Sequence, residues 1–87
     1  MKGAKVKYEG LGELLREKRK AAGYDLEQAA MMIGLTSGSY LASCEVARCN
    51  FPFTKLKRAA ELYGIKAGAI VEVASDDYKK GLMEALK

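Results

Sequence analysis

Asp25-Leu26-Glu27-Gln28-Ala29-Ala30-Met31-Met32-Ile33-Gly34-Leu35-Thr36-Ser37-Gly38-Ser39-Tyr40-Leu41-Ala42-Ser43-Cys44-Glu45 holds two short helical patterns around one glycine turn. Asp25 is suited to an N-cap, its carboxylate accepting the orphan N–H groups that open a helix over Leu26 to Ile33. Gly34 ends that helix, and Leu35-Thr36-Ser37-Gly38 reads as a turn whose hydroxyls cap a further helix from Ser39 to Glu45. On the N-terminal side, Leu11, Leu14, Leu15 and Ala22 share one face of a 3.6-residue period, while Glu13, Arg16, Glu17, Lys18 and Lys20 take the others. This predicts a first helix closed by Gly23. On the C-terminal side, Pro52 suits a first helical turn, and Leu56, Ala59, Ala60, Leu62 and Tyr63 carry the helical period to Gly64. Ile65 to Val73 is open to two readings, a short fifth helix or, from its β-branched content, a strand; the helix is preferred. Ser75-Asp76-Asp77 reads as the N-cap and acidic first turn of a separate last helix. Gly81 should weaken that helix by about 1 kcal/mol.

Eighty-seven residues suffice for one small domain, and hydrophobic content of 49% with 30% charged residues is that of a chain that folds. Histidine is absent. Without imidazole there is no Ser-His or Cys-His nucleophile and no His metal ligand, and no phosphate-binding glycine loop is present, so an enzyme is not expected. Cys44 and Cys49 are too few for a disulfide scaffold or a structural zinc site, and read as reduced thiols, the first buried and the second in a loop; neither metal nor cofactor is expected. No run approaches the roughly 18 apolar residues of a membrane span, and Met1 to Lys7 has no apolar run behind its charges. A cytoplasmic protein with no membrane partner is the expectation.

A short helix, a glycine turn and a second short helix make the helix-turn-helix arrangement, whose later helix is presented to the DNA major groove. The order Leu11, Leu15, Arg19, Gly23, Ala30, Ile33, Gly34, Tyr40-Leu41, Glu45, Asn50, Ala60 and Gly64-Ile65 resembles the lambda-repressor/Cro, or Xre, family over about residues 11 to 71. The resemblance implies an all-α, compact five-helix bundle that binds double-stranded DNA as a dimer with its third helix in the major groove, here followed by a C-terminal helix. It also implies that Arg19 and Glu45 form an internal ion pair between the first and third helices. Residues 1–10 are then a basic arm, 11–73 the DNA-binding domain, and 74–87 the C-terminal helix. Ala29, Ala30, Ile33, Leu41, Cys44, Leu56, Leu62 and Ile65 are the expected core.

Base-reading candidates under this geometry are Thr36, Ser37, Ser39, Tyr40 and Ser43, on the first turn and outer face of the third helix. The helix has no Arg, Lys, Asn or Gln, so its hydroxyls must read by single or water-mediated bonds. Thr36 and Ser37 have a second reading as caps only, and Tyr40 as a core side chain. Three features depart from the family: one extra residue between Gly34 and Glu45, Leu26 in place of a phosphate-touching Gln, and Ala47 in place of a Gly that takes positive φ readily. Met31 and Met32 stand where charged residues are usual, marking a protein contact or an irregular core gap.

The net charge of +4 is unevenly spread. Residues 1–20 hold seven basic and three acidic side chains, 21–47 only three acidic ones, and 48–58 four basic ones. Phosphate contacts are therefore expected at the borders of the motif, from Arg48, Asn50 and Lys55 and from an arm carrying Lys2, Lys5 and Lys7. Tyr78, Leu82, Met83 and Leu86 form an apolar stripe on the last helix that either pairs two copies or packs back on the domain. Two functions follow: a DNA-binding regulator, expected to be a repressor of prokaryotic or phage type acting as a homodimer, or a module on the same fold that binds a protein, antitoxin-like or regulator-binding.

Overall fold

A computed structural model describes residues 6–87 of the chain; Lys2 and Lys5 lie outside these residues. Five α-helices follow in order: α1 Glu9–Ala21, α2 Leu26–Ile33, α3 Gly38–Glu45, α4 Leu56–Tyr63 and α5 Ala67–Ala85, with one 3-10 turn, Phe53–Lys55, leading into α4. Among the described residues there is no strand, and no helix is long and apolar enough to cross a membrane. Leu11 and Leu15 of α1, Ala29, Ala30 and Ile33 of α2, Leu41 and Cys44 of α3, and Ala59 and Tyr63 of α4 pack with Phe51, Ile65 and Ile70 into one core. Leu56 and Leu62, expected within it, lie half-buried at its rim.

Helix ends follow one local rule with an exception. Gly23, Gly34 and Gly64 stop α1, α2 and α4 in the left-handed region, where glycine carries no Cβ penalty. The chain after α3 turns in the same way without glycine: Arg48 N–H donates to the Ser43 carbonyl at 2.8 Å and Ala47 N–H to the Cys44 carbonyl at 3.1 Å, with Ala47 at φ 61°. The substitution of Ala for Gly there leaves the positive φ in place.

Two glycines allow backbones to meet. A Cβ on Gly12 of α1 would stand 2.5 Å from the Glu45 carbonyl oxygen and 2.9 Å from that of Cys44, so α1 crosses directly over the end of α3. A Cβ on Gly38 would collide with the Glu27 carboxylate, whose Oε2 accepts the Gly38 N–H at 3.1 Å. Gly38 thus serves as the first residue of α3, one position earlier than expected, and ties that helix to the start of α2.

The separate last helix does not exist. Residues 67–85 are one helix running through Ser75-Asp76-Asp77, because extending a helix adds a hydrogen bond per residue while starting a new one incurs the nucleation cost. Ile70 and Val73 are accommodated by packing on the bundle, which settles the helix-or-strand alternative for Ile65 to Val73 in favour of helix. Asp77 is buried and caps a different helix: its Oδ1 and Oδ2 accept the N–H groups of Gly10 at 3.1 Å and Leu11 at 2.9 Å. Gly81 has a packing reason as well, since a Cβ there would stand 3.1 Å from Val6, which lies against α5.

Candidate nucleic-acid interface

The α2–turn–α3 unit is built by short-range caps. Asp25 accepts the Gln28 N–H at 2.8 Å while Gln28 Oε1 accepts the Asp25 N–H at 3.1 Å, a reciprocal capping box that starts α2. Ser37, in extended conformation, accepts the Tyr40 N–H on its Oγ at 3.1 Å and starts α3. The Arg19 guanidinium then fixes α3 from behind. Its Nε donates to Glu45 Oε2 at 2.8 Å, Nη2 to Glu45 Oε1 at 3.1 Å, and Nη1 to the Tyr24 carbonyl at 2.9 Å. The Glu45 hydrogen bond raises the affinity of Arg19 for its proton, and both residues are buried. A two-pronged pair of this kind sets distance and angle together.

With Gly38, Leu41, Cys44 and Glu45 turned inward, the outward side of α3 is set by helical spacing. Ser39 is exposed, Ala42 and Ser43 are half-buried, and Val46 just beyond the helix is 59% exposed. Ala42 and Val46 were not among the residues singled out from the sequence, although the inward set, read at 3.6 residues per turn, marks them. The resulting face is uncharged and presents hydroxyls and methyl groups, the chemistry that meets base edges and the thymine methyl. Thr36 is exposed in the turn beside it. The Ser37 hydroxyl is occupied as a cap acceptor. Tyr40 is half-buried against the core, with burial, then its neighbour Cys44, raising its hydroxyl above its ordinary value.

Cys44 and Cys49 are brought side by side with Tyr40 by the turn after α3. Burial, and then the neighbouring Cys49, pushes the Cys44 thiol up to about 11. The sequence spacing alone says nothing of this contact.

The basic border residues divide. Arg48 and Lys7 are exposed and Asn50 is half-buried. Lys55 reaches back to the end of α2, its Nζ 3.3 Å from where a Cβ on Gly34 would stand, and Arg58 Nη1 donates to the Met32 carbonyl at 3.3 Å. Both cations thus lie where the α2 dipole ends, beside the turn that carries Thr36. Met31 is 78% exposed and Met32 also lies on the surface, which leaves the core-gap alternative without support. Tyr78, Leu82 and Met83 of α5 and Leu86 just beyond it are exposed.

Residues 10–72 match the model of a family described as a helix-turn-helix domain. No curated protein and no solved structure matches the chain.

Proposed function

This chain belongs to the helix-turn-helix domain family, and on that premise we propose that it is a sequence-specific DNA-binding transcriptional regulator of the lambda-repressor/Cro, or Xre, type. It binds a pseudo-palindromic operator as a homodimer and acts as a repressor of prokaryotic or phage type, by binding and without catalysis. One observation carries this reading: α3 is held from behind by the buried Arg19–Glu45 pair while its opposite side, Ser39, Ala42, Ser43 and Val46, stays uncharged and open. A rigid helix with such a face can enter the major groove, where serine hydroxyls and apolar groups discriminate bases. Arg48, Lys55 and Arg58 supply backbone attraction at the edges.

Selection from a random duplex library tests the proposal. A two-fold symmetric motif should emerge, and Ser39→Ala and Ser43→Ala should relax it at particular positions, whereas Arg48→Ala should weaken all sequences alike. Recovery of no motif, or serine variants that bind as the wild type does, sinks sequence reading.

A second reading is favoured by a specific observation. The N-termini of α2 and α3 are already capped by Asp25 and Glu27, so carboxylates stand where phosphates would dock, and Met31 beside them is almost bare. A protein partner suits that surface. Affinity for DNA that scarcely responds to salt favours it, because a phosphate-dependent complex loses orders of magnitude as salt rises.

A further inference from the structure

The turn after α3 brings two thiols together beside residues expected at phosphate. Cys44 is 3% exposed and Cys49 half-buried; both are free, and both pack in or against the core. Their side chains meet next to the Tyr40 hydroxyl, and Arg48 and Asn50 flank Cys49 in the chain. The turn hangs from two carbonyls of α3. That of Cys44 accepts the Ala47 N–H at 3.1 Å, and that of Ser43 accepts the Arg48 N–H at 2.8 Å and, more loosely, the Cys49 N–H at 3.4 Å.

The two sulfurs differ in freedom and in reach. Cys44 is pinned: α1 crosses so close that a Cβ on Gly12 would stand 2.9 Å from the Cys44 carbonyl oxygen, and the next residue, Glu45, is gripped by Arg19 at 2.8 and 3.1 Å. Cys49 is held more loosely, since its amide makes the longest hydrogen bond of the turn and Ala47 ahead of it sits at φ 61°, where a Cβ is disfavoured. Burial, and then Cys49, keeps the Cys44 proton in place up to about 11, whereas Cys49 opens partly to solvent. A small oxidant therefore meets Cys49 first.

We propose that Cys49 and Cys44 form a peroxide-reactive site that closes to an intrachain disulfide and draws the turn carrying Arg48 and Asn50 inward against α3. The Cys49 sulfur takes one oxygen of hydrogen peroxide; the O–O bond breaks, Cys49 becomes a sulfenic acid and water leaves. The Cys44 sulfur then attacks the Cys49 sulfur, the S–O bond breaks, and the hydroxyl leaves as a second water with the Cys44 proton. Two thiols thus lose two electrons and two protons, and the peroxide takes them up. An S–S bond of about 2.05 Å is shorter than the contact of two free thiols, so one sulfur must move. With Cys44 pinned, Cys49 moves and carries Arg48 and Asn50 with it, while the outward face of α3 stays in place. The consequence for DNA, a weaker backbone grip, rests on the proposed function; the thiol chemistry does not.

One equivalent of hydrogen peroxide added to the reduced full chain tests the site. Trypsin cuts after Arg48, between the two cysteines, so the disulfide joins peptides 21–48 and 49–55. The oxidised protein should be about 2 Da lighter, keep the mass of a single chain, and return to the dithiol with a thiol reductant. Amide resonances of residues 47–50 should shift on oxidation and those of Ser39 to Leu41 should not. Cys44→Ala should stop at a sulfenic acid on Cys49 that dimedone traps, and Cys49→Ser should leave Cys44 unlabelled. On duplexes of random sequence, the oxidised wild type should bind about tenfold more weakly than the reduced one, and Cys49→Ser should bind alike in both conditions. Linkage between two chains, peroxide consumed without linkage, labelling of Cys44 in Cys49→Ser, or a disulfide that leaves residues 47–50 and the affinity unchanged overturns the proposal. A reduced protein that ignores DNA counts against the proposed function instead, and the linked peptides and the amide shifts then decide the thiol site by themselves.

Discussion

Asp77 and Leu11 stand 66 residues apart in the chain, yet the Asp77 carboxylate accepts the Leu11 amide hydrogen at 2.9 Å and, through its other oxygen, that of Gly10. The N-cap position of α1, Tyr8, offers no side-chain acceptor, so the last helix caps the first. A negative charge at a helix N-terminus also meets the positive end of the dipole. The contact locks α5 to α1 and thereby sets which side of α5 is left outward.

Replacement of this carboxylate should be costly in a graded way. Asp77→Asn keeps an acceptor and loses the charge, at about 1 kcal/mol, while Asp77→Ala leaves two amides without a partner, at about 2 to 3 kcal/mol. Urea denaturation should resolve the difference. An alanine variant as stable as the wild type would mean that water reaches both amides.

Ala47 holds a conformation that a left-handed turn reserves for glycine. Ala47→Gly should stabilise the protein by about 1 kcal/mol, the cost of placing a Cβ in that region. A rise of a few degrees in the thermal midpoint is expected, roughly 4 to 8 °C per kcal/mol for a domain of this size.

Gly12 and Gly68 make a matched pair, both helical and both lacking a side chain. Gly12→Ala drives a methyl group into the backbone carbonyls that end α3 and should cost about 3 kcal/mol; Gly68→Ala meets nothing within 4 Å and should be neutral or slightly stabilising. Thermal melts of the two variants decide this, and equal effects would contradict the close crossing of α1 and α3.

The Arg19–Glu45 pair should show strong coupling. Arg19→Met leaves a buried carboxylate unpaired, at about 3 to 5 kcal/mol, whereas replacing both partners by apolar residues of similar size should recover most of that loss. A double-mutant cycle in denaturant measures it; additive losses would assign the pair no energetic role.

The Tyr63 hydroxyl is buried without a hydrogen-bond partner, and burial, then the Glu45 charge, pushes it up to about 12. Tyr63→Phe should therefore be neutral or stabilising by about 1 kcal/mol. Cys44 at about 11 and Tyr63 at about 12 lie above their ordinary values of 9.0 and 10.0, so the folded state holds these protons more tightly than the unfolded chain. Their contribution is complete below pH 9 and is lost as pH rises from 9 towards 12. Urea midpoints at successive alkaline pH values should fall for the wild type and fall less for Cys44→Ala and Tyr63→Phe.

The helix-turn-helix unit was legible because its signals are local. The bounds of α2, the Asp25 cap and the stops at Gly23, Gly34 and Gly64 depend on residues within one or two turns of one another. The outward face of α3 is partly legible: Ser39 and Ser43 carry hydrogen-bonding groups that mark them in the sequence, while Ala42 and Val46 carry none and are placed on that face only by the helix's inward set. The destinations of Lys55 and Arg58 at the end of α2 were not legible, since the flexible stems of these side chains reach across elements.

By itself the sequence determined the bounds of α2 and the stops of α1, α2 and α4, because caps, glycine stops and apolar period act between near neighbours; α4 itself starts at Leu56, after a 3-10 turn, and not at Pro52. Only the tertiary structure decided that Ser75-Asp76-Asp77 would be passed through and not start a helix, since the partner of Asp77 is the amide of a residue 66 positions away. The same holds for Gly12 against Glu45 and for the thiols of Cys44 and Cys49. In each case the deciding energy comes from groups that meet only after the chain has folded.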